Sequence, residues 1–152
     1  MRKMFKSILI LALVAVMLCS SAMAASYGAK VLTNTMTVYN SSKQAAGALV
    51  RGTSFKVKAI SGDWAKISYN GKTGYAQLSN IIFDNKVKCV STRDTDIRFV
   101  TRASWARNQY YTATLAAGTT IYVVGKKGSE ALVSNASGSA IGYVKLSALT
   151  KM

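Results

Sequence analysis

The sequence predicts an all-β protein that contains two small modules in tandem. Residues 49–57 followed by 74–79 resemble residues 115–123 followed by 142–147. Corresponding positions lie 66 residues apart at first and 68 apart from Tyr75 and Tyr143 onward, so the second copy carries a two-residue insertion. Short runs rich in Val, Ile, Thr, Tyr and Phe alternate with clusters of Gly, Asn and Ser, which is typical of strands and turns. Because no segment after residue 25 shows helical apolar periodicity, the repeat indicates a duplicated β module.

The N-terminus predicts a secretory signal peptide that comprises residues 1–24. Three basic residues lie within the first six positions, and residues 8–18 form an apolar run that is short for a membrane span. Ala22 and Ala24 supply the small side chains that a signal peptidase requires. We expect cleavage after Ala24 and an exported, cell-envelope-associated protein with no stable membrane span. An uncleaved membrane anchor is the alternative.

Cysteine usage excludes an intramolecular disulfide in the exported chain. Cys89 is the one cysteine that remains after residues 1–24 are removed. It alternates with Val87 in a predicted strand, which favours a small residue of the core. The alternative is a surface thiol that forms an intermolecular bridge.

The net charge limits the kinds of partner. The whole chain carries +15, and residues 1–24 contain three basic residues and no acidic one, so the exported part carries +12. A charge this high predicts attraction to polyanions such as anionic wall polymers, acidic polysaccharide, anionic lipid or extracellular nucleic acid. The alternative is a solvated surface that keeps the protein soluble.

The first module contains a hairpin whose register the sequence predicts. Asn70-Gly71 is a strong two-residue turn signal, which places Lys66 opposite Tyr75 and Ile67 opposite Gly74. Faces alternate along each strand, so one face is apolar and predicted to be core: Ala65, Ile67, Gly74 and Ala76. The other face is predicted to be an aromatic and cationic shelf that is at least partly exposed. We call it the aromatic shelf, and it consists of Trp64, Lys66, Ser68, Thr73, Tyr75 and Gln77.

The second module keeps the core positions and changes the exposed ones. Its core positions are Ala131, Val133 and Val144, and its shelf positions are Glu130, Leu132, Tyr143 and Lys145. A longer turn over residues 135–140 replaces Asn70-Gly71. A longer early loop over residues 101–109 replaces residues 40–46 of the first module.

These motifs resemble those of bacterial SH3-like (SH3b) domains. The opening strand of the family pattern corresponds to Met36-Thr37-Val38-Tyr39 in the first module and to Ile97-Arg98-Phe99-Val100 in the second. Its middle signature corresponds to residues 62–67 and 128–133. Its closing signature corresponds to residues 74–78 and 142–146. The resemblance covers residues 30–83 and 86–150 and implies two small SH3-like β-barrels. It also implies peptidoglycan or its peptide bridges as the ligand class. The chain departs from the family pattern at Glu130, where Trp is usual, and both copies lack the usual Ser-Gly-Pro in the early loop.

The residue inventory argues against an enzyme. Histidine is absent, which removes the Cys–His and Ser–His pairs that activate nucleophiles and the commonest zinc ligand. Glycosidase chemistry needs a carboxyl pair, but the chain has five acidic residues in all, and Asp94 and Asp96 lie in a predicted loop. Gly118-Thr119-Thr120 lacks the lysine of a phosphate-binding loop. We therefore expect no catalytic activity, no metal and no cofactor.

The predicted ligand-binding residues are aromatic side chains with neighbouring cations, because rings bury much area at low entropic cost and attract cations. They comprise Tyr39, Trp64, Lys66 and Tyr75 in the first module, and Arg102, Trp105, Arg107, Tyr110, Tyr111 and Tyr143 in the second. The alternative for these rings is packing against the neighbouring module or against a loop of their own module. The predicted partner is peptidoglycan or an anionic wall polymer. Docking on an exported protein and nonspecific polyanion binding, without specific nucleic-acid recognition, are the alternatives.

Overall fold

The computed structural model describes residues 26–102 and 110–152, so the predicted signal peptide over residues 1–24 lies outside the described residues. The described residues form fourteen strands. The first seven are β1 (Tyr27–Val31), β2 (Thr35–Tyr39), β3 (Ala45–Val50), β4 (Ser54–Ser61), β5 (Trp64–Tyr69), β6 (Lys72–Gln77) and β7 (Ile81–Phe83). The second seven are β8 (Val87–Ser91), β9 (Thr95–Arg102), β10 (Tyr110–Leu115), β11 (Thr120–Lys127), β12 (Glu130–Ser134), β13 (Ala140–Lys145) and β14 (Leu149–Lys151). One 3-10 turn stands before the last strand of each set, Leu78–Asn80 and Leu146–Ala148.

Within the two described ranges, no helix is both long enough and apolar enough to span a membrane.

The strands form two antiparallel sheets of the same topology, one for each module. The strand order is β3-β2-β6-β5-β4-β1-β7 in the first and β10-β9-β13-β12-β11-β8-β14 in the second. The second order is the first with each strand number raised by seven. The prediction of an all-β protein with two similar modules is therefore confirmed.

The sheets are open, so the prediction of barrels is corrected. Among the described ladders, β3 pairs with β2 alone and β7 pairs with β1 alone, so nothing joins the two ends of the first sheet. The outer edge of β7 instead meets the second module. Ile82 bridges Ser139, and the Phe83 backbone N–H donates a 3.0 Å hydrogen bond to the Gly138 carbonyl. The edge that would close a barrel is thus used to join the modules.

The hairpin of the first module has the predicted register. Asn70 and Gly71 both have positive φ, 46° and 73°, as this two-residue turn requires. Lys66 pairs with Tyr75 and Ile67 with Gly74. The predicted core face, Ala65, Ile67, Gly74 and Ala76, is buried. The second module has the equivalent register, in which Leu132 pairs with Tyr143. Its corresponding core residues are also buried: Ala131, Val133 and Val144.

The two modules share an apolar interface. The core cluster of the first module extends across it to four buried side chains of the second: Val100, Val124, Leu132 and Tyr143. Ile60 projects from β4 toward Gly125 on β11. The Ile60 Cδ1 atom would lie 3.0 Å from a Cβ added to Gly125, so the two residues are in close contact. The second module has a further cluster of its own that includes the fully buried Cys89, as predicted for a core residue.

Candidate functional site

Three neighbouring strands bring the predicted residues of the first module together. Tyr75 on β6 pairs with Tyr39 on β2 at one side and with Lys66 on β5 at the other. Trp64 lies two residues before Lys66 on β5 and therefore on the same face. The Tyr39 and Trp64 rings meet edge to face, with centroids 5.2 Å apart and planes at 88°. All three rings are half-buried, so each keeps part of its surface in solvent.

Lys43 completes this site, and the sequence did not predict it. Its Nζ lies 4.0 Å from the centroid of the Trp64 ring and 4.5 Å from that of Tyr75. Both distances are within the range of a cation–π interaction. Lys43 stands in the early loop over residues 40–46, where departure from the SH3b pattern left the loop shape open. The one available signal was Asn40, a residue that favours side-chain-bonded turns.

A hydrogen-bonded turn fixes the position of Lys43. The Asn40 side-chain carbonyl accepts hydrogen bonds from the backbone N–H groups of Ser42 and Gln44, each at 3.0 Å. The Lys43 backbone N–H donates to the Asn40 carbonyl at 3.0 Å, and the Asn40 N–H donates to the Gln44 carbonyl at 2.9 Å. The loop is therefore a closed turn that directs the Lys43 side chain onto the rings.

Lys43 adopts a backbone conformation that favours glycine. Its φ is 62°, one of two positive values at non-glycine residues in the described ranges. The turn from Asn135 to Ser139 repeats the same hydrogen bonds, and its equivalent position is Gly138, with a φ of 91°. A left-handed conformation costs a non-glycine residue about 1 kcal/mol. The chain thus keeps a lysine where the same turn elsewhere uses glycine.

A cleft of about 360 Å³ lies beside these rings. Its lining consists of Lys43, Ala59, Ile60, Ser61, Trp64, Lys66 and Tyr75. The Lys127 ammonium donates a 2.6 Å hydrogen bond to the Ser61 hydroxyl and adds a third positive charge at its border. None of the five acidic residues of the chain lines the cleft. The site is therefore apolar at its walls and positively charged.

The equivalent face of the second module is covered by the first module. Leu132 is fully buried and Tyr143 is 4% exposed, both within the shared core cluster. Glu130, at the position of Trp64, forms a 2.9 Å ion pair with Arg98, whose guanidinium lies 5.3 Å from the centroid of the Tyr143 ring. Tyr143 thus lies in the interface between modules and not on an open shelf.

The other predicted residues of the second module stand apart from this site or outside the described residues. Tyr111 is 46% exposed on β10, an outer strand of the second sheet. Arg102 and Tyr110 pair through their backbones at the ends of β9 and β10 of the second module. Trp105 and Arg107 lie in residues 103–109, outside the described ranges. The binding role of these residues stays a prediction.

The described residues contain no cluster of His, Cys, Asp or Glu that could hold a metal ion. Asp94 accepts a 2.8 Å hydrogen bond from the Ala117 backbone N–H through its side chain. This bond joins two loops of the second module and gives Asp94 a structural role.

The sequence matches no protein-family model and no curated protein. Solved structures that this chain resembles include NlpC2 and NlpC1 from Trichomonas vaginalis, both with a TM-score of 0.36. NlpC2 is 11% identical, with 82% of this chain and 48% of that chain covered. NlpC1 is 12% identical, with 82% and 45% covered. This chain therefore spans less than half the length of either protein.

Proposed function

We propose that this protein is an exported, non-catalytic binding protein of the bacterial cell envelope that recognises peptidoglycan or another wall polymer through the aromatic shelf of its first module. The observation that carries the proposal is the convergence of Tyr39, Trp64 and Tyr75 with Lys43 and Lys66 around one open cleft. The sequence resemblance to SH3b domains supports a wall polymer as the ligand, and the predicted signal peptide supports export.

The chemistry of the cleft suits a saccharide or a peptide of the wall. Half-buried rings offer flat apolar surface that packs against the C–H face of a sugar or against a peptide side chain. Ordered rings lose little entropy on binding, which is why aromatic residues dominate many binding sites. A charge of +12 on the exported chain also favours accumulation at an anionic wall.

Docking on an exported protein is the second candidate, and one strand favours it. β3 (Ala45–Val50) is an outer strand with no charged residue, and Val50 is 66% exposed. Outer strands of this kind offer unpaired backbone groups to a strand of another chain. Binding by charge alone is the third candidate, since +12 attracts any polyanion.

Sedimentation with insoluble peptidoglycan at low salt and at about 0.5 M salt separates the three candidates, because high salt screens exposed charges. Retention at both salt concentrations supports recognition by the shelf. Retention that disappears at high salt favours binding by charge, and no retention at either favours a protein partner.

Trp64→Ala tests the site directly, with Tyr122→Ala as the matched control. Tyr122 is another half-buried ring beside a lysine, 5.7 Å from Lys86 Nζ, but it lies on β11 of the second module. We expect Trp64→Ala to weaken wall retention about tenfold, which corresponds to about 1.4 kcal/mol, and Tyr122→Ala to leave it unchanged. Circular dichroism verifies that both variants fold. Equal retention by Trp64→Ala and the parent would refute the assignment of the shelf.

A further inference from the structure

We propose that the cleft of the first module recognises a carboxylate of the wall polymer, bound by the ammonium groups of Lys43 and Lys66; this inference rests on the proposed function. Peptidoglycan carries its own carboxylates on the peptides attached to its sugars. The cleft would then recognise an apolar surface of the wall polymer and a carboxylate next to it at the same time.

The aromatic rings of the cleft already contact a cation of the chain itself. The Trp64 and Tyr75 rings both lie within 4.5 Å of the Lys43 ammonium, so their negative faces already stabilise a cation. A cationic ligand would have to displace Lys43 and would meet Lys66 in the same cleft. An anionic ligand meets neither obstacle. The occupied rings therefore select against cations.

The two lysines of the cleft have hydrogen-bond donors available for an anion. An ammonium group has three N–H donors and no acceptor, and ring faces attract its charge without acting as strong acceptors. None of the five acidic residues lines the cleft, so no carboxylate of the chain's own neutralises the pair there. Two ammonium groups at one cleft can bind one carboxylate through charge-assisted hydrogen bonds.

Lys43 is held in position by its surroundings. The Asn40 turn and the two rings hold its side chain in place before any ligand arrives. A lysine that is already ordered loses less entropy when it binds, which increases affinity. The turn from Asn135 to Ser139 has the same hydrogen bonds at a different place in the second module and carries Gly138 at this position, so the turn itself does not require a lysine. The lysine, with its positive φ, is therefore better explained by what its ammonium contacts.

The test uses one wall preparation in three forms with the full exported chain. The first portion is untreated peptidoglycan, and in the second the carboxylates are converted to neutral amides with carbodiimide and glycinamide. The third portion is stripped of phosphate polymers with hydrofluoric acid. The variants are Lys43→Met, which keeps the aliphatic stem and removes the charge, and Lys72→Met, an exposed lysine away from the cleft that matches the change in net charge.

We expect the parent and Lys72→Met to bind amidated wall about tenfold more weakly than untreated wall, and to bind phosphate-stripped wall normally. Lys43→Met should bind untreated wall about tenfold more weakly than the parent and lose little more on amidation, because the two changes remove the same interaction. Equal binding of the parent to untreated and amidated wall would overturn the inference and leave the proposed function standing. So would a loss confined to phosphate-stripped wall, or an amidation effect of equal size in Lys43→Met. Failure of the parent to bind untreated wall would overturn the proposed function itself.

Discussion

At the scale of single residues, glycines mark where neighbouring backbone leaves no room for a side chain. A Cβ on Gly142 would run into the backbone carbonyl of Arg98, which cannot move without disturbing the β9–β13 ladder. A Cβ on Gly47, in the outer strand β3, would meet only the Tyr69 hydroxyl at an ordinary 3.8 Å. We therefore expect Gly142→Ala to lower the free energy of unfolding by about 1–3 kcal/mol, the usual cost of overpacking. Gly47→Ala should change it by about 0.5 kcal/mol or less. Urea unfolding monitored by fluorescence measures both, and equal effects would contradict the difference in packing.

Single residues also show which parts of the site the sequence could predict. Trp64, Lys66 and Tyr75 follow from strand alternation, because the face of each residue is set by its neighbours along the strand. Lys43 does not, since its contact with the rings depends on a left-handed turn and on a strand that is distant in sequence. Tyr143 has the same strand position as Tyr75, and its burial depends on the neighbouring module, which no local pattern encodes.

At the scale of elements, the hairpin was predictable and the early loop was not. Asn70-Gly71 selects one turn type, and that turn fixes every pair along β5 and β6. The five-residue turns that begin at Asn40 and Asn135 share the Asn and the serine two residues later and differ at the other three positions. So short a match does not predict a common turn, and their common hydrogen bonds emerge only in the structure. The barrel expectation failed at the same scale, because the outer edge of β7 pairs with the longer turn of the second module.

These twin turns provide a matched pair of substitutions. Asn40→Ala removes the acceptor of two exposed backbone N–H groups, which should cost about 1 kcal/mol of stability and release Lys43 from its position. Wall retention should then fall about as far as in Lys43→Met. Asn135→Ala removes the equivalent bonds near the bridge to β7, so it should lower stability at least as much and leave wall retention intact. Thermal unfolding and sedimentation with peptidoglycan measure the two effects. A similar loss of wall retention in both variants would show that the Asn40 turn has no specific role in binding.

At the scale of the whole molecule, one face of the repeated sheet has two uses. In the second module it is apolar at Val124 and Leu132 and packs against the first module. In the first module the equivalent positions are Lys58 and Lys66, both exposed. Lysines at these positions disfavour docking of a further module, since an unpaired charge is costly to bury. The same face is thereby left open as the aromatic shelf.

Reciprocal substitutions test whether these two positions determine the two uses. Leu132→Lys would place an ammonium in the interface and remove a buried leucine, which contributes about 1.5–3 kcal/mol. Because the cluster that includes Cys89 and Ile121 lies within the second module alone, that module should keep its core while the interface opens. We expect the parent to unfold in a single calorimetric transition, because its modules share a core cluster. Leu132→Lys should unfold in two transitions and show a larger radius of gyration in small-angle scattering. Lys66→Leu, at the exposed equivalent position, should leave both measurements unchanged and weaken wall retention. A single transition at the parent's melting temperature in Leu132→Lys would mean that the bridge between Ile82 and Ser139 holds the modules together without the apolar contact.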